Sequence, residues 1–216
     1  MDTQRALKEA SSLIELWRYK TGTSEALKHF VCTWAFMQSG LYEPKQAIVS
    51  KDDFDSAGAE LSWILSELML AGLSDPLAIL LSEHCKDTVK SQSYYPTPEP
   101  IGALISALTT DTDENNGPVS LYEPCCGSAG ITLEKLEALA FKRAHLENPL
   151  EGVTITAEDI SEIAVKAFFI QIVHKLQYLT KTLKKKVTPD CIYIAQIDVL
   201  SRKKGSVIYH LEGNHL

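Results

Sequence analysis

The chain has no run of roughly twenty apolar residues of the length a bilayer-spanning helix needs. Its greasiest window, Leu61 to Leu81, is broken by Ser62, Glu67, Gly72, Asp75 and Pro76. No two cysteines stand at Cys-x-x-Cys spacing, and the five present are scattered and odd in number. That argues against a disulfide framework and for a reducing compartment. A basic surplus is missing too: 21 Lys and Arg against 28 Asp and Glu leave a net charge of -7. Such a balance repels a polyphosphate at long range, so any nucleic-acid contact has to be local or lent by a partner. There is no internal repeat and no coiled-coil heptad. In place of a basic-then-apolar secretion signal, Met-Asp-Thr-Gln-Arg leads into an amphipathic stretch. A cytoplasmic protein whose fold begins near its first residue is expected.

What is present is ordinary globular material: 216 residues, 45% apolar and 23% charged. This is enough chain for one to two domains with a hydrophobic core and no staples. Up to about residue 90 the pattern is helical. Leu7, Ala10, Ile14 and Trp17 fall on one face, as do Leu27, Phe30, Val31 and Trp34 after a Thr23-Ser24 start. A third helix is predicted from about Asp55 to Leu70, with Leu61, Ile64, Leu65 and Leu68 inward and Gly72 as its stop. Asp75-Pro76 then reads as a helix opening, because Asp caps orphan amides and Pro lacks the amide it would waste. Beyond residue 90, short β-branched runs (Val119 to Tyr122, Val153 to Thr156, Cys191 to Ile194, Val207 to Tyr209) alternate with helical stretches. Those stretches are Pro100 to Leu108, Ala129 to Arg143 and Ser161 to Leu179. The expected architecture is α/β: a helical domain over 1–90, then over 91–216 a mostly parallel sheet of about four strands covered by helices.

The segment richest in chemistry is Leu121-Tyr122-Glu123-Pro124-Cys125-Cys126-Gly127-Ser128-Ala129-Gly130, where a strand ends and a helix begins. In a parallel sheet that edge is where ligands bind, and Gly127 and Gly130 let backbone approach them closely. A tight strand-to-helix connection explains the glycines equally well. Asp159 closes the next strand, where an acid can accept from both hydroxyls of a ribose or simply cap the helix opening at Ser161. Asp198, just past the third strand, is placed to accept from the exocyclic amine of an adenine ring, or serves as a loop acid.

Glu123-Pro124-Cys125-Cys126-Gly127-Ser128-Ala129-Gly130 resembles the Asp-Pro-x-Cys-Gly-Ser-Gly-Gly signature of adenine-N6 DNA methyltransferases, of the kind found in modification subunits of type I restriction systems. Tyr94-Tyr95-Pro96-Thr97-Pro98 is similar to their aromatic-aromatic-Thr-Pro segment. The helical amino-terminal part, the Asp75-Pro76-Leu77-Ala78 helix and Ile170-Gln171, where the family carries Met-Asn, also match its layout. The resemblance implies a Rossmann-like S-adenosylmethionine site. Thr97 would contact the methionine carboxylate and Glu123 and Gly127 would line the methionine pocket. Asp159 would hold the ribose and Asp198 read the adenine, with Tyr95, Pro124, Ser128, Gly130 and Ile160 completing the lining.

The departures from the family bear on activity. Pro96 intrudes between the aromatic pair and Thr97, and Ala129 stands for a glycine. No Asn-Pro-Pro-aromatic motif, which would accept from the target amine and stack a flipped base, occurs anywhere; Val207-Ile208-Tyr209-His210-Leu211-Glu212-Gly213 stands near where it belongs. The cofactor half of a site is expected without autonomous catalysis. The alternative is a non-catalytic module that regulates a restriction-modification subunit or DNA. A sheet stopping at its fourth strand implies self-association or such a partner subunit. Lys181, Lys184, Lys185 and Lys186, with Arg202, Lys203 and Lys204, form two basic patches flanking the third strand, either phosphate contacts or solvated loops; DNA binding is expected to be weak alone. Adjacent Cys125 and Cys126 diverge, so no metal is expected. His84 and His174 read as helix-end residues. The sequence sets none of His29, His145 and His210 beside a nucleophile.

Overall fold

A computed structural model describes residues 2–44, 51–85 and 117–213, together with Ile101 and Leu104. The predicted helix over 100–108, apart from those two residues, and the Tyr94 to Pro98 segment lie outside the described residues.

Four helices come first: α1 (Thr3–Glu15), α2 (Thr23–Ser39), α3 (Lys51–Leu70) and α4 (Pro76–His84). Their start signals operate as chemistry requires. The Asp2 carboxylate accepts from the amides of Gln4 and Arg5, and Asp75 accepts from Ala78 N with Pro76 in the first helical position. The apolar stripes face inward: Ala10, Ile14, Trp17, Leu27, Phe30, Val31, Leu61, Ile64, Leu65 and Leu68 are all buried.

Then come β1 (Val119–Pro124), α5 (Gly130–Lys142), β2 (Val153–Asp159), α6 (Glu162–Leu183), β3 (Cys191–Ile197) and β4 (Lys204–Glu212). The strands form one sheet in the order β1-β2-β3-β4. β1, β2 and β3 are parallel, and β4 returns antiparallel to β3 with a register shift between Ala195 and Ile197. The α/β architecture with a mostly parallel four-stranded sheet is therefore as the sequence predicts.

Among the described residues, helix cover lies on one face. Val119, Val153, Ile155, Ala157, Ile192, Ile194, Val207 and Tyr209 are buried there, and Phe169 of α6 stacks on Tyr209 at 4.2 Å and 12°. The other face carries Ser120, Tyr122, Thr154 and His210, all exposed. The apolar core is continuous from the amino-terminal helices into the sheet. Tyr42 strengthens this join: its hydroxyl donates to Ile208 O (2.6 Å) and accepts from Ile208 N (2.9 Å), satisfying the backbone of β4 at that point.

One side chain differs from its sequence reading. α6 runs to Leu183, so His174 sits inside it, buried, with Nδ1 2.8 Å from Ile170 O, Nε2 3.1 Å from Ser66 Oγ and its ring edge-on to Trp34. Burial pushes its pKa down, so it is a neutral packing residue and not a helix-end cation. The two basic patches are partly taken up in structure. Lys185 Nζ donates to Ala144 O and Leu146 O, and Arg202 is held by Glu158. Among the described residues, no helix is long and apolar enough to cross a membrane.

Candidate functional site

The parallel strands β1 and β2 end side by side, with Pro124 opposite Glu158. β1 then enters a bend in which Cys125 (φ 57°), Gly127 (φ 55°) and Ala129 (φ 97°) all take left-handed backbone conformations. Two non-glycine residues in that region mark a turn held by its surroundings, and its restraints can be named. Cys126 N donates to Glu158 O at 3.0 Å, and Gly127 N donates to Asp159 Oδ2 at 2.9 Å. A Cβ built on Gly127 would meet no atom within 4 Å. Among the described residues, the bend therefore leaves its backbone open on that side, the approach a closely held ligand requires.

Asp159 caps the helix that follows it and faces the bend as well. Oδ1 accepts from Ser161 N at 2.8 Å, fixing the start of α6, while Oδ2 faces the bend. Glu123 lies on the helix-covered face at the end of β1. Its Oε2 accepts from Thr132 N at 3.1 Å and from the Thr132 hydroxyl, which caps the first turn of α5, where Ala129 supplies no side-chain cap. Among the described residues Oε1 has no donor. Burial pushes the Glu123 carboxyl up to about 7; Asp75 and Asp159 nearby push the same way, and the Thr132 bonds hold it back. No Lys or Arg among the described residues pairs with Glu123, Asp159 or Asp75.

A third acid, unread in the sequence as a site residue, joins these two. Asp75 caps α4 and also accepts from Ser128 Oγ at 2.9 Å and Gln171 Nε2 at 2.7 Å, with burial raising its pKa. Gln171 is buried and ties three segments together: Nε2 also donates to Ser128 O, and Oε1 accepts from Leu77 N at 3.1 Å. The start of α4 is thereby bolted to the bend. The sequence signal for Gln171 was its place at the family's Met-Asn position; for Asp75 only its capping role was legible.

The remaining predicted residues divide. Glu123, Pro124, Gly127, Ser128, Gly130 and Asp159 form the bend and its support, and Ser128 is buried and turned toward Asp75. Ile160 follows Asp159 and is exposed. Asp198 stands in the turn after β3, where Oδ1 accepts from Leu200 N and Ser201 N and Oδ2 from Ser201 Oγ; those bonds hold its carboxyl below the usual range. Tyr95 and Thr97 lie outside the described residues. Cys126 is buried, and its thiol is pushed well above the ordinary range by that burial, which makes it inert.

On the opposite sheet face, Glu158 takes both guanidinium nitrogens of Arg202 (2.6 and 2.8 Å) and the Tyr122 hydroxyl (2.8 Å). Arg202 holds that carboxyl below its ordinary pKa. Adjacent acids at a strand end must point to opposite faces, so Glu158 and Asp159 have separate tasks. The first staples the β3–β4 turn to β1, and the second serves the bend.

No family model matches the chain, and no curated protein matches it. Among solved structures, a Listeria monocytogenes protein assigned to the class I S-adenosylmethionine-dependent methyltransferases is similar over 87% of this chain and 52% of its own, with a TM-score of 0.48 and 14% identity. The chain thus spans about half the length of that protein.

Proposed function

We propose that the chain binds S-adenosylmethionine at the bend between Glu123 and Gly130, as a homologue of adenine-N6 DNA methyltransferases that keeps the cofactor half of the site and does not methylate by itself. The observation that carries this reading is a glycine turn facing two carboxylates, Glu123 and Asp159, to which no Lys or Arg among the described residues is paired. A nucleoside polyphosphate would be repelled by such a lining. A ligand carrying an ammonium and a sulfonium, with a ribose to accept from, suits it.

Glu123 Oε1 has acceptor capacity for the methionine ammonium, and ionising Glu123 strengthens that contact. Asp159 keeps lone pairs for ribose hydroxyls, because each of its oxygens accepts one bond from the described residues. Ile160 supplies exposed apolar surface beside the ribose acid for a base to lie against. Asp75 and Gln171 act as positioning residues that fix Ser128 and hence the bend. S-adenosylmethionine, when bound, supplies an electrophilic methyl group. Accepting that methyl on an adenine amine requires positioned acceptors, and this sequence contains no Asn-Pro-Pro-aromatic motif to supply them.

Calorimetry and methyl transfer test the two halves separately. Titrating S-adenosylmethionine into the full chain should give saturable heat, and Asp159→Ala should weaken binding by about 1 to 3 kcal/mol. Incubation with methyl-labelled cofactor and adenine-containing DNA should leave the DNA unlabelled. Label on DNA that follows the protein through purification would overturn the non-catalytic half, and equal affinity of wild type and Asp159→Ala would overturn the site.

A further inference from the structure

The amino-terminal edge of the sheet, opposite the bend, holds a second constellation. Cys191 opens β3, and the antiparallel register sets Tyr193 opposite His210 and Cys191 opposite Glu212. Cys191 and His210 are therefore diagonal neighbours on the sheet face that the described helices leave uncovered, and His210 Nε2 lies 3.3 Å from Cys191 Sγ. The Tyr193 ring meets His210 edge-on at 6.2 Å and 72°, which steadies the imidazole plane. All five cysteines are free thiols, and Cys191 is partly exposed. The pair opens into a groove of about 810 Å³. Among the described residues no third ligand completes a metal set there.

Charge in the groove decides what can enter. Glu147, Glu151, Asp190 and Glu212 line it against Lys185 and Lys186. Both lysines are drawn to carbonyls, Lys185 to Ala144 O and Leu146 O and Lys186 to Gly213 O, and the acids outnumber them by two. Anionic reagents are disfavoured and ammonium-bearing ones favoured at low ionic strength.

We propose that Cys191 and His210 form a thiol-exchange site that takes small amine-bearing disulfides and becomes reversibly thiolated. His210 Nε2 accepts the Sγ proton as the sulfur attacks one sulfur of the disulfide. The new S–S bond forms at Cys191, the reagent's own S–S bond breaks, and the departing thiolate takes its proton back from His210. One disulfide is consumed and one is made, so no external oxidant is needed.

The test uses the full chain carrying Cys125→Ser, which removes the exposed thiol; Cys32, half-buried like Cys191, stays in place and is mapped separately. It is treated at low salt with cystamine or with dithiodipropionate, and the adducts are located by peptide mass mapping. A single adduct at Cys191 is expected, forming several-fold faster with cystamine; added salt should narrow that preference. His210→Gln, at an exposed position, should slow the cystamine reaction about tenfold. An unmodified Cys191, a faster reaction with the dicarboxylate, or a rate indifferent to His210→Gln would each overturn the proposal. The comparison of reagents on the His210-containing chain stands even if the His210 variant folds poorly.

Discussion

Glu123→Gln is the substitution whose effect on the unliganded protein can be worked through in most detail. Glu123 ionises at about 7 in the folded chain against an ordinary 4.5; at about 1.4 kcal/mol for each tenfold, holding it ionised costs the fold at most about 3.5 kcal/mol. The sign follows from proton counts. Below pH 4.5 folded and unfolded chains both carry the proton, and the penalty is absent. Between 4.5 and 7 the unfolded chain releases it and the folded chain does not, so stability falls as pH rises; above 7 the loss is complete. Glutamine keeps an oxygen acceptor for Thr132 and cannot ionise. The variant should therefore be more stable than wild type by roughly 1 to 3 kcal/mol at pH 8, with the difference vanishing near pH 4.5. Urea unfolding followed by circular dichroism at both pH values measures it. Parallel stability–pH curves for the two proteins, or a variant destabilised equally at both ends, would refute a desolvated Glu123. The same variant should bind S-adenosylmethionine more weakly at pH 8, so stability and binding would move in opposite directions, as expected of a residue kept for a ligand.

Ala129→Gly should raise stability by roughly 0.5 to 1 kcal/mol, because relief of a left-handed alanine outweighs the extra freedom glycine gains when unfolded; a lower urea midpoint would contradict the strained turn. Gln171→Ala removes a group that serves Asp75, Ser128 and Leu77. It should cost about 2 to 4 kcal/mol and weaken cofactor binding without touching the ligand, seen as parallel losses in thermal midpoint and affinity. Arg202→Ala should lower the thermal midpoint at pH 7. Because Arg202 holds the Glu158 carboxyl below its ordinary pKa of 4.5, that stabilisation exists above the unfolded pKa and disappears as pH falls through the lower folded one, so the two midpoints should converge in acid below that ordinary value; a gap that persists when Glu158 is fully protonated would sink the ion-pair account.

The helical part was legible because its signals are local. Apolar positions at helical spacing and the Asp75-Pro76 opening need no knowledge of distant chain, and all the stripe residues but Leu7 are buried. The bend was legible because glycines and an acid at consecutive strand ends form a pattern in one dimension. What escaped requires pairing. The direction of β4 is not written in Val207 to Tyr209, and the turn feeding it uses Arg202 in a left-handed conformation where glycine would have signalled a hairpin. Without that pairing, His210 could not be set beside Cys191, nor Arg202 beside Glu158. Asp75 shows a different loss: its capping role was complete by local logic, and nothing along the chain announced that its other oxygen would hold Ser128.

The central claim concerns place as much as affinity, so the most direct measurement is ultraviolet cross-linking of radiolabelled S-adenosylmethionine to the full chain, followed by peptide mapping. The account predicts saturable label in the segments 121–133 or 157–162, competed by unlabelled cofactor and reduced in Asp159→Ala. Label confined to other segments, or none above that seen with the unfolded chain, would contradict it.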